Sequence, residues 1–292
     1  MRIFAAGNVN FYTNKYPAFK SRDFLELPTN DVIKKVKASV NSKNYIGGGC
    51  EADVYKIKNT KYCVRIPHVS EDVFCAEYNK ELSDIDRVNH VKAKLGFGSA
   101  ILEFFEGVTP SKYRDCEKKR YKFQEKIAKM PNKSYTELLH QISNAIDNEM
   151  AFDCAGGNLI VNTLKKKLTA IDFYGIPVDN PRPIRPLCEM YSILTLYGAQ
   201  PKTSQKIAQK IILSSLKEFE PNKIPCMDLS LFDYEELIAK LERQGLCTKT
   251  EKLKTLITDL KNIKKKEIID KTISPLLEYK INSVQKLIRT IL

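Results

Sequence analysis

The chain has 292 residues, 43% hydrophobic and 28% charged, and carries a formal net charge of +13. That length admits one large domain or two small ones, and the composition is that of a globular chain, not a disordered one. No run approaches the ~20 apolar residues that span a bilayer. The opening Met1 to Gly7 is too short in apolar residues for a signal peptide.

Residues 1–43 read as a polar extension ending in a helix from Asp31 to Val40. From residue 44 to 106 the pattern turns to strands, at Tyr45-Ile46, Asp53 to Ile57, Tyr62 to Ile66 and Ile101 to Phe105. A helical stretch from about Ser70 to Leu95 falls between the third and fourth. After Gly107 the pattern becomes helical, over 111–130 and 134–150. Leu138, Leu139, Ile142, Ile146 and Met150 line one face of the second helix. Leu159 to Val161 and Leu168 to Ile171 then form a hairpin with a Lys-rich turn. From Leu187 onward helices are expected, broken at Pro201, around Pro221 to Pro225, at Gly245 and at Pro275. The predicted class is α+β, a small β-rich unit at 44–106 and a helical one with its core at 107–200, followed by a helical region at 201–292.

Three histidines and eight cysteines with no Cys-x-x-Cys pair match no zinc spacing, so the thiols are read as free and the compartment as reducing. The positive charge is concentrated. Nine Lys/Arg stand against three acids between Ser111 and Lys133, and Lys264 to Lys266 form a second run. A solvated helix face accounts for such a run most simply. The functional alternatives are an acidic protein, an inositol polyphosphate, a membrane surface or nucleic acid. No nucleic-acid motif accompanies the charge.

Three segments could carry chemistry. In Ile46-Gly47-Gly48-Gly49-Cys50-Glu51-Ala52-Asp53-Val54-Tyr55, glycines between two strands let backbone approach phosphates closely, although three glycines alone are most often a turn. In Asp153-Cys154-Ala155-Gly156-Gly157-Asn158-Leu159, an Asp and an Asn lie five apart on a helix-to-strand loop. Phosphoryl transfer needs a carboxylate to orient the attacking hydroxyl and oxygen ligands for a divalent cation. In Leu168-Thr169-Ala170-Ile171-Asp172-Phe173, a carboxylate ends an apolar strand; alone it would be a turn residue.

Together, Ile-Gly-x-Gly-x-x-Ala-x-Val-Tyr, Asp-x-x-x-x-Asn-Leu-Ile-Val and Ile-Asp-Phe resemble the marks of the protein-kinase superfamily, over roughly residues 44 to 200. Within it, the short lobes are similar to the compact atypical kinases that pathogenic bacteria secrete as effectors. The resemblance implies a bilobal fold, ATP, and Mg²⁺ or Mn²⁺. It gives Gly47, Gly49 and Val54 to the nucleotide and Glu103, Phe104 and Phe105, with Leu102, to the hinge at adenine. Asp153 becomes the catalytic base, and Asn158 and Asp172 the metal ligands. Arg65 stands where the family has a Lys, with Glu81 as its helix partner and Glu77 as the alternative. The helix around Glu189 is similar to one that lies under the family's catalytic loop.

The departures are as informative. Arg is a planar fork where Lys is a point charge, so Arg65 is not a conservative exchange. Ala151-Phe152-Asp153 lacks the family's His and Arg, which removes the partner of a phosphorylated activation loop. The stretch from Gly175 to Glu189 is short for such a loop. The expectation is an atypical Ser/Thr kinase acting on a protein, constitutive or switched by an acidic protein or inositol polyphosphate at 111–133, in a host cytoplasm if secreted. A pseudokinase scaffold, a small-molecule phosphotransferase on the same fold and a helical adaptor with accidental motifs are the rivals.

Overall fold

The computed structural model describes residues 24–27, 29–49, 52–68, 90–96, 98–175, 185–217 and 236–245. The chain divides between Phe105 and Glu106 into two compact units.

The first unit is built on a five-stranded antiparallel sheet of spatial order β1-β2-β3-β5-β4. Its strands are β1 (Tyr45–Gly48), β2 (Ala52–Lys56), β3 (Tyr62–Pro67), β4 (Val91–Gly96) and β5 (Ser99–Glu103). β3 is paired on both sides and is the most buried, as its Cys-Val-Arg-Ile run requires. Helix α1 (Thr29–Ser39) begins with Asp31 in its first turn and ends with Lys37 in its last, the arrangement that complements the helix dipole. Val32 and Val36, one turn apart, enter a core with Phe24, Ile57, Val64 and Ile101. Residues from the extension before position 44 thus help form the core of the sheet unit.

One expectation fails here. The helix predicted from Ser70 to Leu95 cannot extend through its last residues, because Val91–Gly96 is an edge strand paired with β5. Ala93 and Leu95 are buried while Lys92 and Lys94 stand on the other side, which is an alternation of period two. Gly98, at φ 69°, closes the turn into β5. Cross-strand pairing outweighs the helix preference of Lys, Ala and Leu. Residues 69–89, with Glu77 and Glu81, lie outside the described residues, as do 176–184, 218–235 and 246–292.

The second unit contains α2 (Glu117–Ala128), α3 (Asn132–Asp147), β6 (Met150–Phe152), β7 (Leu159–Asn162), β8 (Lys167–Ala170), β9 (Phe173–Gly175), α4 (Pro186–Leu194) and α5 (Pro201–Lys217). α3 packs against α5, α4, β6 and β8, with Leu138, Leu139 and Ile142 fully inside. Two boundaries differ from expectation. The helix predicted from residue 111 starts at Glu117, because Pro110–Tyr113 forms a separate 3-10 turn and Cys116 is extended, at φ −130° and ψ 91°. The next helix stops at Asp147; Glu149 takes φ 60°, and Met150 joins a strand. Pro201 is the first residue of α5, where its missing N–H removes no helical bond. Among the described residues no helix is long and apolar enough to cross a membrane.

Candidate functional site

In the second unit, two short ladders bring Asp153, Asn158 and Asp172 together. β6 pairs antiparallel with β9, Phe152 opposite Phe173, and β7 with β8, Leu159 opposite Ala170. Asp153 follows Phe152 and Asp172 precedes Phe173, so both emerge from the same end of one ladder. Asn158 precedes Leu159 at the end of the other. Backbone bonds join them: Asp153 N–H donates to the Asp172 carbonyl at 3.3 Å, and Ile171 N–H to the Asn158 carbonyl at 2.8 Å. The Phe152 and Phe173 rings pack beneath at 5.5 Å between centroids.

The side chains are linked as well. Asn158 Nδ2 donates to Asp153 Oδ2 at 2.8 Å and to the Asp153 carbonyl at 3.3 Å. That fixes the carboxylate's orientation and turns the amide's Oδ1, its acceptor end, away from Asp153. Asp172 has φ 70°, a conformation disfavoured for a residue with a Cβ and one that recurs at functional sites. Asp153 and Asp172 are both exposed.

The thiol beside Asp153 is no nucleophile. Burial, reinforced by the negative charges of Glu189 and Asp153, pushes Cys154 up to about 12, so it stays protonated at neutral pH. Its Sγ lies 3.7 Å from the Glu189 carbonyl, which puts α4 against this loop. Among the described residues no three His, Cys, Asp or Glu side chains form a metal cluster. The donor set here is two carboxylates and one carboxamide oxygen. It suits a hard divalent cation of the Mg²⁺ or Mn²⁺ kind that keeps water or phosphate oxygens in its remaining positions.

In the first unit, strand register sets Gly47 opposite Val54, Val54 opposite Arg65, and Arg65 opposite Ala100. Directly paired residues share a sheet face, so these form one row. The neighbouring row, Tyr55, Val64, Ile101 and Ala93, faces the core. Gly47, Val54 and Arg65 therefore lie together on the face opposite α1's core. Arg65 is 4% exposed, and its Nη1 donates to the Gly98 carbonyl at 3.2 Å. Gly49 N–H is held by the Ala52 carbonyl at 3.0 Å in the β1–β2 hairpin.

Glu103 is not in that row. It pairs with Tyr62, three residues along β3 from Arg65, roughly 10 Å away at strand rise and on the other face. Its carboxylate lies 3.6 Å from Lys92 Nζ. Phe104 is fixed by its N–H to the Lys61 carbonyl at 2.9 Å and by Lys56 Nζ at 3.5 Å over its ring. Phe105 packs edge-on to His90 at 5.2 Å.

Sequence reasoning passed over the support of the Asp153–Asn158 loop. Gly156 is buried against Leu196 and Tyr197. Its carbonyl accepts from Ser111 N–H at 3.0 Å, tying the loop to the Pro110–Tyr113 turn. These partners are some 40 residues away on either side, beyond any local motif.

No protein-family model matches this chain, and no curated protein matches it in sequence.

Proposed function

We propose that the chain is an atypical, ATP-dependent phosphotransferase of the protein-kinase type, moving the γ-phosphate to a Ser or Thr hydroxyl of a protein. The observation that carries the reading is the joining of Asp153 and Asn158, from one loop, with Asp172, from a second segment, at the ends of two ladders with Asn158 Nδ2 on the Asp153 carboxylate.

In this reading Asp153 accepts the hydrogen bond of the acceptor hydroxyl and takes its proton as oxygen attacks phosphorus and the bond to the leaving diphosphate breaks. Asn158 keeps that carboxylate pointing at one place. Asp172 and Asn158 Oδ1 would hold the divalent cation, which supplies charge neutralisation on the phosphate oxygens. In the first unit, Gly47, Val54 and Arg65 form the row given to the nucleotide. Arg65 carries five donors in a fixed fork, suited to phosphate oxygens. A bilobal kinase-like arrangement of the two units belongs to the same proposal.

The test is γ-phosphate transfer from ATP with Mg²⁺ or Mn²⁺ to a general protein substrate. Wild type is measured beside Asp153→Asn and Asp172→Ala. Loss of transfer by about a hundredfold or more in both variants is expected. No transfer from wild type, with ATP still raising the melting temperature, would replace the enzyme by a nucleotide-binding scaffold. No melting shift would remove the nucleotide.

A further inference from the structure

The Asp153–Asn158 loop is fastened to a positively charged turn. Gly156 accepts from Ser111 N–H at 3.0 Å, and Ser111 lies within Pro110–Tyr113, between Pro110 and Lys112. Tyr197 joins the same two pieces from the other side. A side-chain carbon on Gly156 would stand 2.5 Å from the Tyr197 hydroxyl, and the Arg114 guanidinium lies 5.6 Å from the Tyr197 ring centroid. The support is itself braced. Arg120 Nη1 donates to the Arg114 carbonyl at 2.8 Å, and Gln124 Nε2 to the Leu196 carbonyl at 3.0 Å.

Lys112 and Arg114 are exposed on this braced turn, with Lys118 and Lys119 exposed at the start of α2. Asp115 and Glu117 are the acids of the stretch, so cations prevail there by four to two. Of the nine cations between Ser111 and Lys133, Lys133 alone makes an ion pair among the described residues, with Glu137 at 3.7 Å. Asp153 and Gly156 are three residues apart, at most about 11 Å of chain. A peptide that holds its hydroxyl at Asp153 and runs toward this turn would therefore reach Lys112 and Arg114 within roughly three to five residues, since each extended residue spans about 3.3 Å.

We infer that Lys112 and Arg114 form an acceptor-recognition surface that selects protein segments with acidic residues a few positions from the phosphorylated hydroxyl. The inference rests on the phosphotransfer reading for its register but not for the existence of the surface. Complementary charge on a rigid turn recognises the flank of the acceptor while Asp153 engages its hydroxyl. Such a surface selects by charge pattern, since exposed ammonium and guanidinium groups discriminate sign far better than shape.

The experiment uses the full chain and three peptides with one serine, flanked on both sides by Glu, by Gln or by Lys. A fourth peptide, Glu-flanked with Ala in place of serine, reports binding by fluorescence anisotropy without turnover. Wild type should phosphorylate the Glu peptide roughly two- to thirtyfold more efficiently, in kcat/KM, than the Gln peptide, the range two exposed charge pairs provide. The Lys peptide should be the poorest. In Lys112→Glu/Arg114→Glu the Glu-to-Gln ratio should fall to about one or invert, and anisotropy binding of the Ala peptide should weaken in parallel. Lys129→Glu/Lys133→Glu makes the same change of net charge beyond the far end of α2, at its C-cap and in the first turn of α3, and should keep the ratio.

Equal use of the Glu and Gln peptides, or a ratio lost equally in both double variants, overturns the inference while leaving phosphotransfer standing. Charge-dependent binding of the Ala peptide through Lys112 and Arg114, with no transfer to any peptide, upholds the surface and overturns the enzyme. Failure of wild type to bind the Ala peptide in preference to a Gln-flanked counterpart overturns the surface whatever the chemistry.

Discussion

A methyl group at Gly47 or Gly49, in the β1–β2 hairpin of the first unit, would meet no atom within 4 Å. A methyl group at Gly156, in the β6–β7 loop of the second, would stand 2.5 Å from the Tyr197 hydroxyl and 2.9 Å from Leu196 Cδ2. Both loops attract notice in the sequence for their glycines, yet the glycines answer to different neighbours. Gly156 is small because the protein itself fills the space around it. Gly47 and Gly49 are small where the described residues leave room, so the reason for them has to be sought in something that is not part of this hairpin. Gly48 between them resembles Gly156: a methyl there would run into the Asp53 carboxylate and the Tyr45 hydroxyl.

The largest effect expected from this contrast is on Gly156→Ala. Tyr197 and Leu196 must move aside, and overpacking of this kind costs about 1–3 kcal/mol. For a unit of this size that is a fall of roughly 2–10 °C in melting temperature, read by thermal denaturation without nucleotide. Because Tyr197 also carries the Arg114 contact, the same variant should blunt discrimination between acidic and neutral peptides. A melting temperature within one degree of wild type would mean that the packing around Gly156 yields at no cost, and the contrast with Gly47 would lose its meaning.

A milder perturbation is alkali, because among the described residues each unit holds a thiol that burial keeps protonated. Cys63 on β3 and Cys154 beside Asp153 are both raised from 9.0 to about 12. The sign follows from linkage. The unfolded thiols lose their protons near 9 while the folded ones keep theirs, so rising pH favours the unfolded chain. This contribution is whole below pH 9 and is lost progressively as pH rises toward 12. At pH 8 the folded thiols therefore stay protonated. Iodoacetamide should therefore label exposed Cys116 well before Cys63 or Cys154, as peptide mapping by mass spectrometry would read. Early labelling of Cys154 would show that its loop opens to solvent far more readily than its bond to Ser111 and its packing on Tyr197 suggest.

What could be read from sequence follows physical range. β2, β3 and β5 are legible because Val, Tyr and Ile alternate or cluster over five or six residues, and the β7–β8 hairpin because its Lys-rich turn separates two apolar runs. Asp153, Asn158 and Asp172 stand out as polar residues at the ends of such runs. β4 escapes because Lys92, Ala93, Lys94 and Leu95 favour helices in isolation, and only pairing with β5 fixes them as a strand. β6 and β9 have three residues each, too few for a period to declare itself. The break before α2 hinges on the extended backbone of Cys116, and the anchoring of Gly156 on residues remote in the chain. The Asp, Asn and Asp of the site can be found locally, but what holds them still cannot.

The smallest effect on folding, and the most informative for function, is expected from Gly47→Ala. Gly47 pairs with Val54 and shares its row with Arg65, so the new methyl would project from the face that carries the guanidinium. No atom lies within 4 Å of that position, and although the β1–β2 register shifts between Tyr45 and Gly47, Gly47 is not at positive φ, so stability should change by no more than about 0.5 kcal/mol. Should this face meet phosphate, the methyl would occupy the space needed for close approach. The loss of one charge-assisted contact is worth about 1.5–3 kcal/mol, roughly tenfold or more in affinity. The expected pattern is an unchanged melting temperature without nucleotide and a reduced shift with ATP and Mn²⁺. The opposite pattern, an unstable variant whose ATP shift is intact, would mean that Gly47 is small for the same reason as Gly156. The row of Gly47, Val54 and Arg65 would then be a feature of packing, and the nucleotide would have to be sought elsewhere in the first unit.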